Sequence, residues 1–355
     1  MKIVTVIGAR PQFIKASVVS AAILKKSAIK EVIVHTGQHF DSNMSEVFFN
    51  ELNIPRPNYQ LNINSGSHGA MIGRMVEQIE QVCIKESPDK LMVYGDTNST
   101  LAGALAAAKL HIPVVHIEAG LRSFNMQMPE EVNRILTDQV SNILFCPTET
   151  AIRNLKNEGF DRKNVKVFNV GDVMQDSSVY FSNFAKKPNQ LKGLGKSEFI
   201  IATLHRAENT DDINRLKNIV NALNYLHNNI KPVVLPLHPR TRKVIENLNL
   251  DLNVTVIEPV GYLEMLWLLK NCSLVVTDSG GVQKEAFFFN KPCVTMRDQT
   301  EWVELIEEGV NMLAGADTQT IIDLTIKMLG KEILDSKNLY GGGNASIKIV
   351  EHLTV

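Results

Sequence analysis

The chain contains few cysteines and no spacing typical of a metal site, and both absences restrict its chemistry. Its 355 residues include four cysteines and nine histidines. Cys83, Cys146, Cys272 and Cys293 form no C-x-x-C pair, and the histidines show no metal-ligand spacing. Three of these cysteines lie in or beside apolar runs. We therefore expect buried reduced thiols rather than a disulfide framework.

The chain also lacks an excess of one charge and a long hydrophobic run. It has 37 Lys and Arg against 38 Asp and Glu, and a formal net charge of -1. This balance excludes a broad electrostatic surface for nucleic acid or an anionic membrane, so any anion site must be local. The first apolar run reaches Gly8 too soon for a signal peptide and is too short to span a bilayer. We expect a cytoplasmic protein.

What the chain does have is enough length for two domains, with the 44% hydrophobic and 21% charged composition of a globular protein. Strand-like and helix-like segments alternate throughout, which predicts α/β domains with parallel sheets. The first series of predicted strands is Lys2–Ile7, Glu31–Thr36, Lys90–Tyr94, Val114–Ile117, Ile143–Cys146 and Val165–Asn169. The second is Phe199–Leu204, Pro232–Leu237, Val254–Ile257, Leu274–Thr277 and Cys293–Met296.

Two such series predict two doubly wound domains with a boundary near Gly171. The N-terminal domain is expected to comprise residues 1–170 and, because a last helix at Ala345–Leu353 could brace it, residues 341–355. The C-terminal domain is expected to comprise residues 171–340. Ligands of open α/β sheets bind beyond the carboxyl ends of the strands, so we expect a site in a cleft between the domains.

The most informative motif follows the predicted strand Leu274–Thr277. Asp278, Ser279, Gly280 and Gly281 form a turn into a helix, and Glu285 lies one turn inside that helix. Glycines allow close approach of the backbone, and a helix N-terminus presents free N–H groups to an anion. Glu285 could then bind the ribose below a diphosphate. The alternative is a capped helix without a ligand, since such turns favour the same residue types.

Charged residues follow other strands of the first half. Arg10 and Lys15 come after strand one, where they could reach a diphosphate or simply face water. Asp96 follows the third strand, and could also be a turn residue. Glu118 follows an apolar run directly, where partial desolvation would raise the pKa of its carboxyl and suit it to proton transfer. Glu130 lies at a predicted helix start, where acids are common for dipole reasons.

Two histidines occupy the same kind of position in the second half. His205 follows the strand Phe199–Leu204, and His238 follows Pro232–Leu237. Each suits phosphate binding or proton relay, although a single loop histidine often does neither. Because polar groups follow four strands of this half, the joint pattern favours a phosphate-bearing ligand.

These segments together resemble the non-hydrolysing UDP-N-acetylglucosamine 2-epimerases. The motifs that carry the resemblance, in order, are Gly8-Ala9-Arg10-Pro11, Gly37-Gln38-His39, Gly95-Asp96-Thr97, Glu118-Ala119-Gly120-Leu121-Arg122, Pro129-Glu130-Glu131, His205-Arg206, Asp278-Ser279-Gly280-Gly281 and Glu285. The resemblance implies a glycosyltransferase-B-like fold of two Rossmann-like domains, usually a homodimer. It implies that neither nicotinamide nor metal is needed.

The resemblance also implies a mechanism and the residues that carry it. A base removes the C2 proton while UDP leaves C1, and UDP then returns to the 2-acetamidoglucal as C2 is protonated on the opposite face. The implied catalytic residues are Asp96, Glu118, Glu130 and His205, with Glu131 as a possible substitute for Glu130. The implied substrate and UDP contacts are Arg10, Lys15, His238, Ser279, Gly280, Gly281 and Glu285.

The substrate expected from the resemblance is UDP-GlcNAc, converted to UDP-ManNAc for bacterial surface polysaccharide synthesis. Two departures point to a second candidate. The chain reads Gly8-Ala9-Arg10-Pro11-Gln12 where many members read Gly-Thr-Arg-Pro-Glu, and it has Phe40 where activated bacterial members have a basic residue. These forms look closer to the branch that acts on UDP-2,3-diacetamido-2,3-dideoxyglucuronate. A hydrolysing epimerase, a retaining glycosyltransferase and a non-catalytic nucleotide-binding protein remain alternatives.

Overall fold

The chain forms two compact units. The computed structural model describes residues 1–26, 28–38, 56–191, 193, 195–334 and 338–354. One unit consists of Met1–Ser177 and Asn338–Val355, and the other of Ser178–Lys337. The second unit is therefore inserted in the sequence of the first. Among the described helices, none combines the length and the apolarity that a membrane crossing requires.

The first unit contains a parallel sheet of seven strands. Its strands are β1 (Lys2–Ile7), β2 (Lys30–His35), β3 (Tyr59–Gln60), β4 (Lys90–Tyr94), β5 (Val114–Ile117), β6 (Ile143–Cys146) and β7 (Lys166–Asn169). Its helices are α1 (Arg10–Leu24), α2 (His68–Glu86), α3 (Asn98–Lys109), α4 (Pro129–Val140), α5 (Glu149–Asn157) and, across the boundary, α6 (Val173–Phe181). The strand order is β3-β2-β1-β4-β5-β6-β7.

The second unit repeats this design with a sheet of six parallel strands. They are β8 (Ile200–Thr203), β9 (Val233–Pro236), β10 (Thr255–Ile257), β11 (Leu274–Thr277), β12 (Cys293–Thr295) and β13 (Asn311–Leu313). Its helices are α7 (Ala207–Thr210), α8 (Ile213–Asn229), α9 (Pro239–Asn247), α10 (Tyr262–Asn271), α11 (Gly280–Phe288), α12 (Val303–Glu307) and α13 (Thr318–Met328). The strand order is β10-β9-β8-β11-β12-β13.

Every strand predicted from the sequence is present, with ends that agree or shift by one residue. The sequence missed β3 and β13, which are short edge strands without an apolar run of their own. The strand interiors are almost wholly buried because helices cover both faces of each sheet, as parallel sheets require. All four cysteines are buried thiols, as expected.

Each sheet has one point where the strand order reverses, between β1 and β4 in the first unit and between β8 and β11 in the second. Helices that leave neighbouring strands in opposite directions open a crevice there, and ligands of doubly wound sheets bind at such points. In the first unit, Gly8 and Gly95 follow these strands; in the second, Leu204 and Asp278 do.

The last helix, α14 (Ala345–Leu353), belongs to the first unit. Asp176 anchors its start, since its carboxylate accepts hydrogen bonds from Ala345 N at 3.0 Å and Ser346 N at 2.7 Å. Near the helix end, the His352 ring stacks on Phe168 with 4.0 Å between ring centroids. The carboxylate satisfies free N–H groups at the helix start, and the ring stack holds the helix end, so α14 is fixed at both ends.

A buried histidine lies at the end of β2. The His35 side chain is 2% exposed and stacks on Phe13 with 4.9 Å between ring centroids. Neither ring nitrogen has a hydrogen-bond partner within the described part of the chain. Burial lowers the pKa of His35 from 6.5 to about 4 because the charged imidazolium is poorly solvated there.

We expect His35→Phe to remove part of the acid sensitivity of the fold. Because the folded-state pKa lies below the unfolded one, the unfolded chain binds more protons and stability falls as the pH drops from 6.5 to about 4. The shift corresponds to about 3 kcal/mol across that window. Urea unfolding at several pH values measures it, with His111→Asn, at an exposed position of positive φ, as the control. Equal pH slopes for His35→Phe and wild type would contradict the assignment.

Candidate active site

Two carboxylates lie together beyond the carboxyl ends of β4 and β5. Asp96 follows the β4 turn at Gly95, and Glu118 follows β5 directly. Gly95 packs against the Glu118 carboxylate so closely that an added Cβ would lie 3.1 Å from Glu118 Oε2 and 3.8 Å from Lys15 Nζ. Lys15 forms an ion pair with Glu118. The structure thus brings together three residues that the sequence motifs indicated separately.

The backbone of Glu118 is strained in a way that places its side chain. Its φ is +72°, a left-handed conformation that non-glycine residues rarely adopt. The N–H groups of Glu118 and Ala119 both donate to the Phe145 carbonyl at 3.0 Å, which holds this turn. Glu118 is 9% exposed. Strain of this kind accumulates at functional sites, and here it turns a buried carboxylate toward Lys15.

Asp96 has a perturbed environment. Burial raises the pKa of its carboxyl, and the negative charge of Glu118 acts in the same direction. Arg134 opposes both, with Nη2 at 2.5 Å from Asp96 Oδ2, but the pKa remains raised overall. A carboxylate with a raised pKa is a stronger base, which is the property that proton abstraction needs.

Arg134 connects Asp96 to the first turn of α4. Its Nη1 donates to Glu131 Oε2 at 2.7 Å. Glu131 is fully buried and also accepts hydrogen bonds from the N–H groups of Ser123 and Phe124, at 2.9 and 2.8 Å. Although burial acts in the opposite sense, these donors and Arg134 lower the pKa of Glu131. Glu131 therefore holds the loop before α4.

Glu130 itself is exposed at the start of α4. It lies four residues before Arg134 and therefore on the same face of the helix, one turn away from the guanidinium that binds Asp96. A catalytic role for Glu130 stays a prediction.

Gln12, which differs from the glutamate of the resembled family motif, connects the ends of the two central strands β1 and β4. Gln12 is 2% exposed. Its Oε1 accepts from the N–H groups of Gly8 and Ala9 at 2.8 and 3.0 Å, and its Nε2 donates to the Tyr94 carbonyl at 2.8 Å. The amide thus uses both its acceptor and its donor to tie the turn after β1 to the turn that carries Asp96.

The second unit contains a carboxylate that organises a histidine. Asp278 is fully buried, and its Oδ2 accepts from the N–H groups of His205 and Arg206, each at 2.9 Å. Its Oδ1 lies 3.1 Å from His205 Nδ1. Although burial opposes ionisation, these groups lower the pKa of Asp278 overall. His205 Nδ1 therefore lies against the buried carboxylate, while the side chain as a whole is half-exposed.

The predicted anion turn follows Asp278. Ser279 is the N-cap of α11 but forms no side-chain capping bond, so its hydroxyl is not engaged by the helix. Gly280 is approached closely by the Glu301 carboxylate, and an added Cβ would lie 3.6 Å from Arg206 Nη2. A larger residue at this position would have to displace the Glu301 side chain. Glu285 lies inside α11, 6% exposed.

Three comparisons with known proteins bear on this arrangement. The family model described as UDP-N-acetylglucosamine 2-epimerase matches residues 21–354. The chain belongs to the UDP-N-acetylglucosamine 2-epimerase family. It is 66% identical to the UDP-2,3-diacetamido-2,3-dideoxy-D-glucuronate 2-epimerase of Pseudomonas aeruginosa over 353 residues, which are 99% of each chain. It is 44% identical to a UDP-N-acetylglucosamine 2-epimerase of Methanocaldococcus jannaschii, over 100% of this chain and 99% of that one.

Solved structures of this epimerase family have the same fold. A crystal structure of the Methanocaldococcus jannaschii enzyme in complex with UDP-GlcNAc and UDP has a TM-score of 0.87 at 44% identity, over 100% of this chain and 99% of that chain. The enzyme of Neisseria meningitidis bound to UDP-GlcNAc has a TM-score of 0.88 at 34% identity and covers 100% of both chains. The glycosyltransferase-B-like fold class expected from the sequence is confirmed, and the chain is an isomerase of the sugar epimerase class.

The other residues that match the epimerase motifs are placed as follows. His238 caps α9 just after β9, the strand beside β8. It therefore lies beyond the carboxyl ends of the strands, as His205 does. Arg10 begins α1, but its side chain, like all of His39 and Phe40, lies outside the described residues. Among the described residues, no group of His, Cys, Asp and Glu side chains is arranged to hold a metal ion.

Proposed function

We propose that the protein inverts C2 of a UDP-2-acetamido sugar by elimination and re-addition of UDP. The observation that carries this proposal is the pair of the half-buried Asp96 and the buried Glu118, two carboxylates with Lys15 and Arg134 as their cations. Such a set can take a proton from carbon and return one, and the pKa of Asp96 is raised in the direction a base requires. The Ser279–Gly281 turn, with Glu285, is proposed to bind the UDP part.

The proposed reaction balances without a redox cofactor. A carboxylate removes the C2 proton, the C2–H electron pair forms the C1=C2 bond, and the C1–O bond breaks with its pair on the diphosphate. Donors at the α11 start stabilise the charge that develops on the leaving diphosphate. In the return step a diphosphate oxygen attacks C1 and C2 receives a proton on its opposite face. His205 is proposed to assist at the diphosphate.

For the sugar we favour UDP-2,3-diacetamido-2,3-dideoxyglucuronate. The 66% identity to the Pseudomonas aeruginosa enzyme named for that substrate, over 99% of both chains, supports this choice. UDP-GlcNAc is the second candidate, because relatives named for it are 44% identical over the whole chain. We further propose a homodimer, as the family resemblance implies.

The test is proton NMR of each UDP-sugar with enzyme in D₂O. We expect deuterium at C2 and the C2-inverted product with the diacetamido uronate, and slower or no exchange with UDP-GlcNAc. Faster turnover of UDP-GlcNAc would make it the substrate. Free UDP accumulating with a free sugar would indicate a hydrolysing enzyme, and no exchange with either sugar would reject the proposal in favour of a transferase or a binding protein.

Glu285→Ala should weaken UDP binding with a smaller effect on turnover at saturation. A hydrogen bond to a charged group contributes about 1.5–3 kcal/mol, so we expect Kd for UDP to rise roughly 10- to 100-fold. Isothermal titration calorimetry with UDP measures this Kd. Glu246→Ala, at an exposed site in the same unit, is the control. An unchanged Kd for Glu285→Ala would show that the ribose contact is made elsewhere.

A further inference from the structure

A buried histidine behind the two carboxylates has no role in the proposed reaction. His116 lies within β5, two residues before Glu118, and is fully buried. Its Nδ1 lies 2.7 Å from Asp138 Oδ1, and its Nε2 lies 2.7 Å from the carbonyl oxygen of Gly95. Gly95 is the residue before Asp96, so this ring contacts the turn that carries the proposed base.

The partners of the two ring nitrogens decide where its protons are. A carbonyl oxygen can only accept, so Nε2 must donate to Gly95. Asp138 is itself surrounded by donors, since its Oδ2 accepts from Gly120 N at 3.1 Å and from Arg122 Nη1 at 2.8 Å. These contacts favour the ionised carboxylate, which also can only accept. With acceptors on both sides, both ring nitrogens must carry a proton.

We propose that both ring nitrogens of His116 carry a proton and that His116 acts as a positioning residue for the Asp96 turn. Only the expected loss of kcat rests on the proposed function. The Gly95 carbonyl is held by His116, and the Gly95 N–H donates to the Ile117 carbonyl at 2.9 Å. Both backbone polar groups of Gly95 thus bond to β5, and these bonds fix the direction in which the chain continues to Asp96.

The charge has a second effect. Asp96 and Glu118 are like charges held close together, and each raises the cost of ionising the other. The ion pairs of Lys15 with Glu118 and of Arg134 with Asp96 offset this repulsion. The protonated His116 ring adds a positive charge next to the Gly95 carbonyl, and the contact with Asp138 holds the ring there. The arrangement lets two carboxylates stay close without one of them becoming permanently neutral.

The direct test is the protonation state of His116 in the intact protein. ¹⁵N NMR of enzyme labelled at histidine, with the signal assigned by its loss in His116→Phe, should show both ring nitrogens protonated at pH 7. A neutral ring protonated only at Nε2 would mean that the proton resides on Asp138, and would overturn the proposal. This outcome does not depend on whether any sugar is turned over.

Asp138→Asn separates the charge from the hydrogen bonds. Its amide oxygen can accept from Gly120 and Arg122 while its NH₂ donates to Nδ1 of a neutral His116, so all contacts are preserved and the imidazolium is lost. We expect the ¹⁵N signal to change to the neutral form and kcat to fall about 10-fold. His116→Phe, which also frees the Gly95 carbonyl, should reduce kcat by about 100-fold, the scale of a 1 Å displacement.

The binding of UDP, measured by titration, should be unchanged in both variants, because neither substitution removes a residue proposed to contact UDP. A neutral signal with wild-type kcat in Asp138→Asn would reject the role of the charge. Wild-type kcat in a folded His116→Phe would reject the positioning role. Absence of C2 exchange in the wild type would count against the proposed function alone.

Discussion

Asp96→Asn is expected to lose C2 proton exchange by about 10²- to 10⁴-fold, the range that a positioned general base contributes. The amide has nearly the same shape and can still accept a hydrogen bond from Arg134, so the turn should keep its geometry. It cannot take a proton at neutral pH. Because the change affects proton transfer and not nucleotide binding, the affinity for UDP should remain close to that of the wild type.

This expectation is checked by following deuterium at C2 in D₂O and by titrating UDP with the same preparation. Asp161→Asn is the matched control, since it makes the same substitution at an exposed position of the same unit. Near-normal exchange in Asp96→Asn would move the assignment of the base to Glu118 or Glu130.

The second large effect is expected from Asp278→Asn in the other unit. In the wild type Asp278 Oδ1 lies 3.1 Å from His205 Nδ1, and an ionised carboxylate at this distance favours a proton on that nitrogen. If the amide oxygen keeps the bonds to the His205 and Arg206 N–H groups, its NH₂ faces Nδ1 and forces the proton to Nε2. In a hydrolase triad the same exchange of carboxylate for amide reverses the tautomer and lowers kcat by about 10⁴-fold. We expect a loss of kcat on the order of 10²-fold or more.

The measurement is kcat by NMR together with the ¹⁵N signal of His205, which should change tautomer. Asp251→Asn, an exposed substitution in the same unit, is the control. An altered tautomer with normal kcat would show that His205 binds substrate without transferring a proton. An unaltered tautomer would show that Asp278 serves only to cap the loop.

Local patterns in the sequence were sufficient to predict the described strands other than β3 and β13, and to indicate the acidic strand ends. An apolar run that stops at a charged residue is a short-range signal, and it is enough to locate Asp96, Glu118 and His205. Lys15 and Glu130 were also candidates from their local positions, and the family resemblance then implied a role for each. Each of these candidates is marked by its immediate neighbours in the chain, and their catalytic or binding roles stay predictions.

The residues that the sequence did not predict act through partners far away in the chain. Arg134 matters because it reaches Asp96, and His116 because it meets Asp138; nothing in the spacing of either pair points to the contact. Gln12 differs again, because its role depends on donating and accepting at once, which only the folded positions of Gly8 and Tyr94 reveal. The positive φ of Glu118 likewise has no signal in its own neighbourhood.

The anchoring of α14 by Asp176 has a consequence for how the protein is made. The ribosome delivers the whole of Ser178–Lys337 before α14 is synthesised, so the second unit can fold while the first still lacks its last helix. The proposed catalytic acids all precede that point, yet the unit that holds them is completed only when α14 is added. In a nascent chain, the unit proposed to bind the nucleotide can therefore be in place before the unit proposed to carry the reaction.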